Sequence, residues 1–242
     1  MNFRPVGGNE GEQRGRLNRA VVLSAALDLI DQDGLEELSM RRLAAHLAVS
    51  PMALYNHVPH KEALLEGVVD QILGEIDLSI VELDDWAEVL KSGFRSFRET
   101  LLRHPNAVPL LQSKVVVTPD SLRPVEVSLA TLQKAGFDPR LALHAHWALV
   151  GFTFGHVSNR LANPLTNPGV LNESVVGNEA LGPETFPSFH RCLPYCLDPD
   201  FDASYEFGLE IIVGGLRSRL LAERGDVPLA AVAKDDPGHL PP

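Results

Sequence analysis

Apolar positions recur at helical spacing from Leu17 onward, and no stretch alternates in the manner of a strand. Val21, Val22, Ala25, Leu29 and Ile30 define a first helix, with Gly34 as its stop. Ser39 offers an N-cap to a short helix whose inner face is Leu43, Ala44 and Leu47. Ser50-Pro51 opens another, since the serine can cap free amides and the proline loses no hydrogen bond in a first turn. That helix is very short, 51–57, and Val58-Pro59 ends it. A longer one over 61–80 carries a stripe of Leu64, Leu65, Val68, Val69, Ile72, Leu73 and Ile76.

Beyond Asp85 the pattern predicts helices over 86–103, 106–113, 121–135, 138–160, 183–193 and 202–224. Pro124 is expected in the first turn of its helix, with Gly136 as the stop; Pro183 and Pro194 are expected to bound the 183–193 segment. Residues 161–182, rich in Asn, Pro and Gly, read as a long surface loop. Residues 1–16 read as a mobile arm and 225–242 as a frayed tail. The expected fold is all-α, with a small N-terminal domain over 17–65 and a larger one over 66–224.

Composition narrows the function classes. A chain of 242 residues accommodates a small domain joined to a larger one. The net charge of −11 excludes a uniformly basic nucleic-acid binder but not one with a local basic face. Residues 1–65 carry seven basic and eight acidic side chains, against fourteen and twenty-four in the remainder, so the two segments differ in character. Two cysteines exclude a disulfide framework. Neither a signal-peptide pattern nor a membrane-length apolar run is present, so the expectation is a soluble, cytoplasmic chain.

The segment 38–57 is the informative one. Two short helices meet over a tight turn with apolar contacts at Leu43, Leu47, Val49 and Leu54, which is helix-turn-helix spacing. With Leu54 inward, Met52, Ala53, Tyr55, Asn56 and His57 lie outward and offer groups suited to base edges and phosphates. Arg41, Arg42 and Lys61 can bracket the groove by pairing with phosphates. A helical hairpin with Tyr55 as a packing aromatic is the plain structural alternative.

Around this motif, 17–65 resembles the DNA-binding domain of TetR-type repressors. The resemblance lies in Ala26-Leu27-Asp28-Leu29-Ile30 through Gly34, Leu54-Tyr55-Asn56-His57-Val58 and Lys61-Glu62-Ala63-Leu64-Leu65. The second part is similar to the regulatory domain of the tetracycline-repressor branch. Ser96-Phe97-Arg98, Gln133-Lys134-Ala135-Gly136-Phe137, Phe152-Thr153-Phe154-Gly155 and the run 207–216 fall in family order.

The resemblance implies a homodimer joined through helices near 138–160 and 202–224, with Gly208, Gly214 and Gly215 allowing close helix approach. It implies a double-stranded, pseudo-palindromic DNA operator, contacted by Arg41, Pro51, Met52, Ala53, Tyr55, Asn56, His57 and Lys61. It also implies a small-molecule effector that enters an apolar cavity in the second domain and moves the helix near 61–80. Phe97, His146, Trp147 and Phe154 are the expected cavity residues, with Leu101, Leu111, Lys114, Ser128 and Leu143 as neighbours. The chain departs from the family at several places. Ala48 stands at the usual turn glycine, predicting a strained turn. Met40 replaces a hydroxyl residue. Leu111, Gly93 and Asn159 stand where tetracycline repressors carry metal- and drug-binding His, Asn and Glu. A magnesium–tetracycline chelate loses its anchors there, so a different and more apolar effector is expected, with no metal and no cofactor.

Other chemistry is sparse. Cys192 and Cys196 are four apart near His190, but Pro194 between them argues against a shared helix face, so inert thiols are expected. His144 and His146 face different ways. Phosphate-loop, zinc-protease and nucleophile-elbow motifs are missing, as are the paired Glu-x-x-His motifs of di-iron bundles. The expectation is a ligand-responsive regulator and not an enzyme, with a small-molecule-binding module lacking specific DNA recognition as the alternative.

Overall fold

The computed structural model describes residues 17–79, 85–114, 117–162, 178 and 181–223. The expected arm, tail and most of the 161–182 loop lie outside the described residues, as does Ile80. The described residues are helical and include no strand. None of their helices is long and apolar enough to cross a membrane. The chain forms two compact units, Met1–Val68 and Val69–Pro242.

The first unit holds α1 (Arg19–Asp33), α2 (Met40–His46), α3 (Pro51–Tyr55) and the start of α4 (Lys61–Gly74). Asn18 caps α1 by accepting from the Val21 amide at 3.0 Å, so the helix starts two residues later than Leu17. Gly34, at φ +91°, ends it and donates to the Ile30 carbonyl. The core closes on Val22, Ile30, Leu38, Leu43, Leu54, Leu64 and Val68, none more than 1% exposed. A Cβ on Gly67 would fall 2.6 Å from Leu23 Cδ2, so this glycine sets how closely α1 and α4 approach.

The second unit contains α5 (Trp86–Arg103), α6 (Val108–Ser113), α7 (Pro119–Ala135), α8 (Pro139–Ala162), α9 (Pro187–Leu197) and α10 (Phe201–Glu223), with a 3-10 turn at Pro105–Ala107. Helix α5 packs against α7, α8 and α10, and α8 also packs against α7 and α10. A buried polar cluster ties three of these helices together. The Tyr205 hydroxyl reaches the Phe94 carbonyl at 2.8 Å and Thr153 Oγ1 at 3.0 Å, and Thr153 donates to the Leu149 carbonyl. Arg98 lies 4.8 Å over the Tyr205 ring and pairs with Asp202 at 2.5 Å. Burial pushes the Tyr205 phenol up to about 12.

Four features differ from the sequence expectation. Helix α4 stops at Gly74 instead of reaching residue 80: the Asp77 amide then donates to Ser96 Oγ of α5, and Asp77 Oδ1 accepts from the Ser79 amide, so side chains take up backbone donors that a continued helix would use. Helix α7 starts at Pro119 behind a Thr118–Ser121 capping box, which puts Pro124 inside the helix, beyond its first turn. Helix α9 occupies 187–197 and runs through Pro194, so Cys192 and Cys196 do share one helix, a turn apart. Gly208 is committed within the chain: a Cβ there would meet the Phe152 ring at 2.4 Å, whereas Gly214 and Gly215 have nothing within 4 Å.

Candidate functional site

The first site is built by two serine caps and one turn. Ser39 Oγ accepts from the Arg42 amide at 3.2 Å and starts α2; Ser50 Oγ accepts from the Ala53 amide at 3.3 Å and starts α3. Between them the Ala48 amide donates to the Ala45 carbonyl and the Val49 amide to the Ala44 carbonyl. That pair of bonds is a Schellman motif, which needs a left-handed residue after the C-cap, and Ala48 takes φ +54°. The strained turn expected from Ala48 is therefore present.

Leu54 is fully buried, which turns the opposite face of α3 outward. Met52 is 71% and Tyr55 43% exposed. Arg41, Pro51, Asn56 and Lys61 are exposed, and Ala53 and His57 half-buried. Met52, Tyr55 and Asn56 are spaced i, i+3, i+4, so one short helix presents them together. The two arginines of α2 differ. Arg42 pairs with Asp33 and with Glu37, each at 2.7 Å, and is held against its own unit instead of standing free for phosphate. Lys61 Nζ donates to the Leu38 carbonyl at 2.6 Å, which fixes its ammonium beside the start of α2.

The second site is a cavity of about 610 Å³ in the second unit, within the range of small-molecule pockets. Eight of the nine expected residues line it: Phe97, Leu111, Lys114, Ser128, Leu143, His146, Trp147 and Phe154. Leu101 does not. It is fully buried one turn beyond Phe97, where α5 packs on the Pro105–Ala107 turn, and belongs to the core. Residues the sequence reading missed include Val69 and Leu73 of α4, Leu90 and Phe94 of α5, and Thr131 of α7. Leu90 and Phe94 lie seven and three residues before Phe97, on the same face of α5, so the period held that signal.

The polar groups of the cavity are few. His146 Nδ1 lies 3.1 Å from Ser128 Oγ, and burial holds the imidazole pKa below its ordinary value. Leu111 and Gly93 line the wall and supply no ligating atom, while Asn159 is exposed. Among the described residues no three His, Cys, Asp or Glu side chains are grouped to hold a metal. His190 Nε2 is 2.6 Å from the Leu181 carbonyl, a backbone partner.

A third feature is an exposed apolar face on α8 and α10. Trp147 is 62%, Phe207 70% and Ile211 57% exposed. Gly151, Gly155, Gly214 and Gly215 on the same helices have open space at their missing Cβ positions.

Residues 22–68 match the family model described as bacterial regulatory proteins, tetR family. Residues 81–220 match the tetracyclin repressor-like C-terminal domain. An HTH-type transcriptional regulator of Saccharopolyspora erythraea is 32% identical over 218 residues, covering 88% of this chain and 89% of the relative. The class A tetracycline repressor of transposon 1721 from Escherichia coli is 30% identical over 211 residues, covering 86% and 94%. The crystal structure of apo ActR from Streptomyces coelicolor superposes with a TM-score of 0.73 at 29% identity, over 84% of this chain and 96% of that one. ActR in complex with actinorhodin gives 0.73 at 28% identity, over 84% and 97%.

Proposed function

The chain belongs to the TetR family of bacterial regulatory proteins, in its tetracycline-repressor-like branch, and from that premise we propose that it is a homodimeric repressor released from a pseudo-palindromic operator by an apolar effector. A ligand-responsive, DNA-binding regulator is the function its family and its two sites share. The observation that carries the proposal is the course of α4. This one helix begins at Lys61, beside the reading surface, and ends at the cavity, where Val69 and Leu73 form part of the wall. A ligand that packs better against one position of α4 than another shifts the population between them, and only that difference in affinity can drive release.

On this reading Arg41 and Lys61 hold phosphates, while Met52, Ala53, Tyr55, Asn56 and His57 meet base edges, with Pro51 opening the helix. The two copies join through α8 and α10, burying Trp147, Phe207 and Ile211, which a monomer leaves in water. The heads then sit about one turn of DNA apart, near 34 Å. The homodimer, the operator and the effector are the partners of this reading, and catalysis has no place in it.

The test uses fluorescence anisotropy with an operator selected from random duplexes. Tyr55→Ala combined with His57→Ala is expected to abolish specific binding while leaving a folded dimer. Specific binding that survived both changes would overturn the assignment of α3 as the reading helix.

A further inference from the structure

We propose that Cys192 and Cys196 of α9 chelate a soft, two-coordinate d10 cation of the copper(I) class. They are the only two cysteines of the chain, and both thiols are free. Free cysteine is among the most buried of residue types, yet Cys192 is exposed and Cys196 half-buried, so core packing does not account for the pair. Helix α9 brings them together. The His190 amide donates to the Phe186 carbonyl and the Asp198 amide to the Pro194 carbonyl, so helical bonding holds on both sides of Pro194. Residues four apart on such a helix are neighbours, with Cβ atoms about 5–6 Å from each other. A disulfide asks for about 3.5–4.5 Å between them. The two side chains are therefore too far apart to bond directly without unwinding the turn, and close enough for one atom to bridge their sulfurs.

The donor set selects the ion. Thiolates favour soft cations over magnesium or calcium, which take oxygen. Zinc in a structural site takes four ligands, and among the described residues no third His, Cys, Asp or Glu is grouped with the two thiols. A cation content with two sulfurs meets this site without further ligands, and copper(I) is such an ion. As it binds, two S–Cu bonds form, both S–H protons pass to the buffer and no electron moves. None of the described residues that line the cavity belongs to α9, so the thiol site is separate from the effector cavity.

The test titrates copper(I) into the full chain under argon, in competition with bicinchoninate, with zinc(II) run separately. One copper(I) is expected per chain, with two sulfur neighbours by X-ray absorption. Cys192→Ser and Cys196→Ser are each expected to weaken binding by about 100-fold, since losing one thiol turns a chelate into a single bond. Both positions lie outside the core, and circular dichroism checks that each variant keeps the wild-type fold. Zinc(II) is expected to bind far more weakly than copper(I). Serine variants that hold copper(I) as tightly as the wild type, zinc bound as tightly as copper(I), or one ion shared between two chains overturns the proposal. So does a chain, purified without reductant, whose mass lacks the two thiol hydrogens, because the turn would then unwind to a disulfide.

Discussion

Replacing Ala48 by glycine is expected to stabilise the helix-turn-helix, against the usual sense of such a change. The Schellman motif at the end of α2 obliges residue 48 to hold φ +54°, and its two hydrogen bonds close only in that conformation. A left-handed conformation costs an L-residue with a Cβ roughly 1–2 kcal/mol. Glycine escapes that cost but loses about 0.5–1 kcal/mol more chain entropy on folding. The difference favours glycine by about 0.5–1 kcal/mol. Ala48 is exposed, so removing its methyl group sacrifices no core packing that would obscure this sum. For a chain of this size the gain corresponds to a rise in Tm of about 1–4 °C, read by thermal unfolding followed by circular dichroism. Ala45→Gly supplies the opposite sign three residues away, since Ala45 is exposed within α2 and glycine there costs about 1 kcal/mol. Ala48→Val is expected to destabilise, because a β-branched residue fits the left-handed region worst. An unchanged or lowered Tm for Ala48→Gly, with Ala45→Gly behaving as stated, would refute the strain argument.

Arg41→Ala is expected to weaken operator binding uniformly and reduce the salt slope by about one phosphate, while Arg42→Ala, already paired to Asp33 and Glu37, leaves that slope nearly unchanged; anisotropy over a salt series separates them. Gly208→Ala forces a methyl group to within 2.4 Å of the Phe152 ring, which is stacked on Tyr205, and is expected to cost about 1–3 kcal/mol in a denaturant titration. Burial lowers the pKa of His146, and burial together with Arg98 and Arg160 lowers that of His156, so below their ordinary value of 6.5 the unfolded chain binds more protons. Stability is therefore expected to be full above about pH 6.5 and to fall as acid drives the pH through the lowered values; His146→Leu with His156→Phe flattens the slope of Tm against pH in that window.

Much of the fold is legible in local chemistry because caps act within three or four residues of themselves. Ser39, Ser50 and Gly136 mark ends in the sequence that the structure keeps. Where a terminus depends on a distant partner, periodicity misleads: the apolar stripe of α4 continues to Ile76, but Ser96 of α5 takes up the Asp77 amide and the helix is already over. Proline is the other weak point. Pro124 and Pro194 each remove one backbone donor, and both helices continue through the loss. In the sites, residue type alone does not say whether an arginine faces solvent or a neighbouring carboxylate, so Arg41 and Arg42 read alike until Asp33 and Glu37 are placed. The same holds for Leu101, which shares a helix with Phe97 yet lies past the end of the cavity. Gly208 reads as one of three equivalent glycines, and only the Phe152 ring above it distinguishes an internal contact from an open one.

Selection of duplexes from a random pool, followed by anisotropy on the enriched sequence over a salt series, decides whether α3 reads DNA in a dimer. The expected result is a pseudo-palindrome whose half-sites are about one helical turn apart, bound by two copies and weakening steeply with salt. A folded dimer that enriches no sequence at low salt would contradict it, and would leave a helical module that binds small molecules without reading DNA.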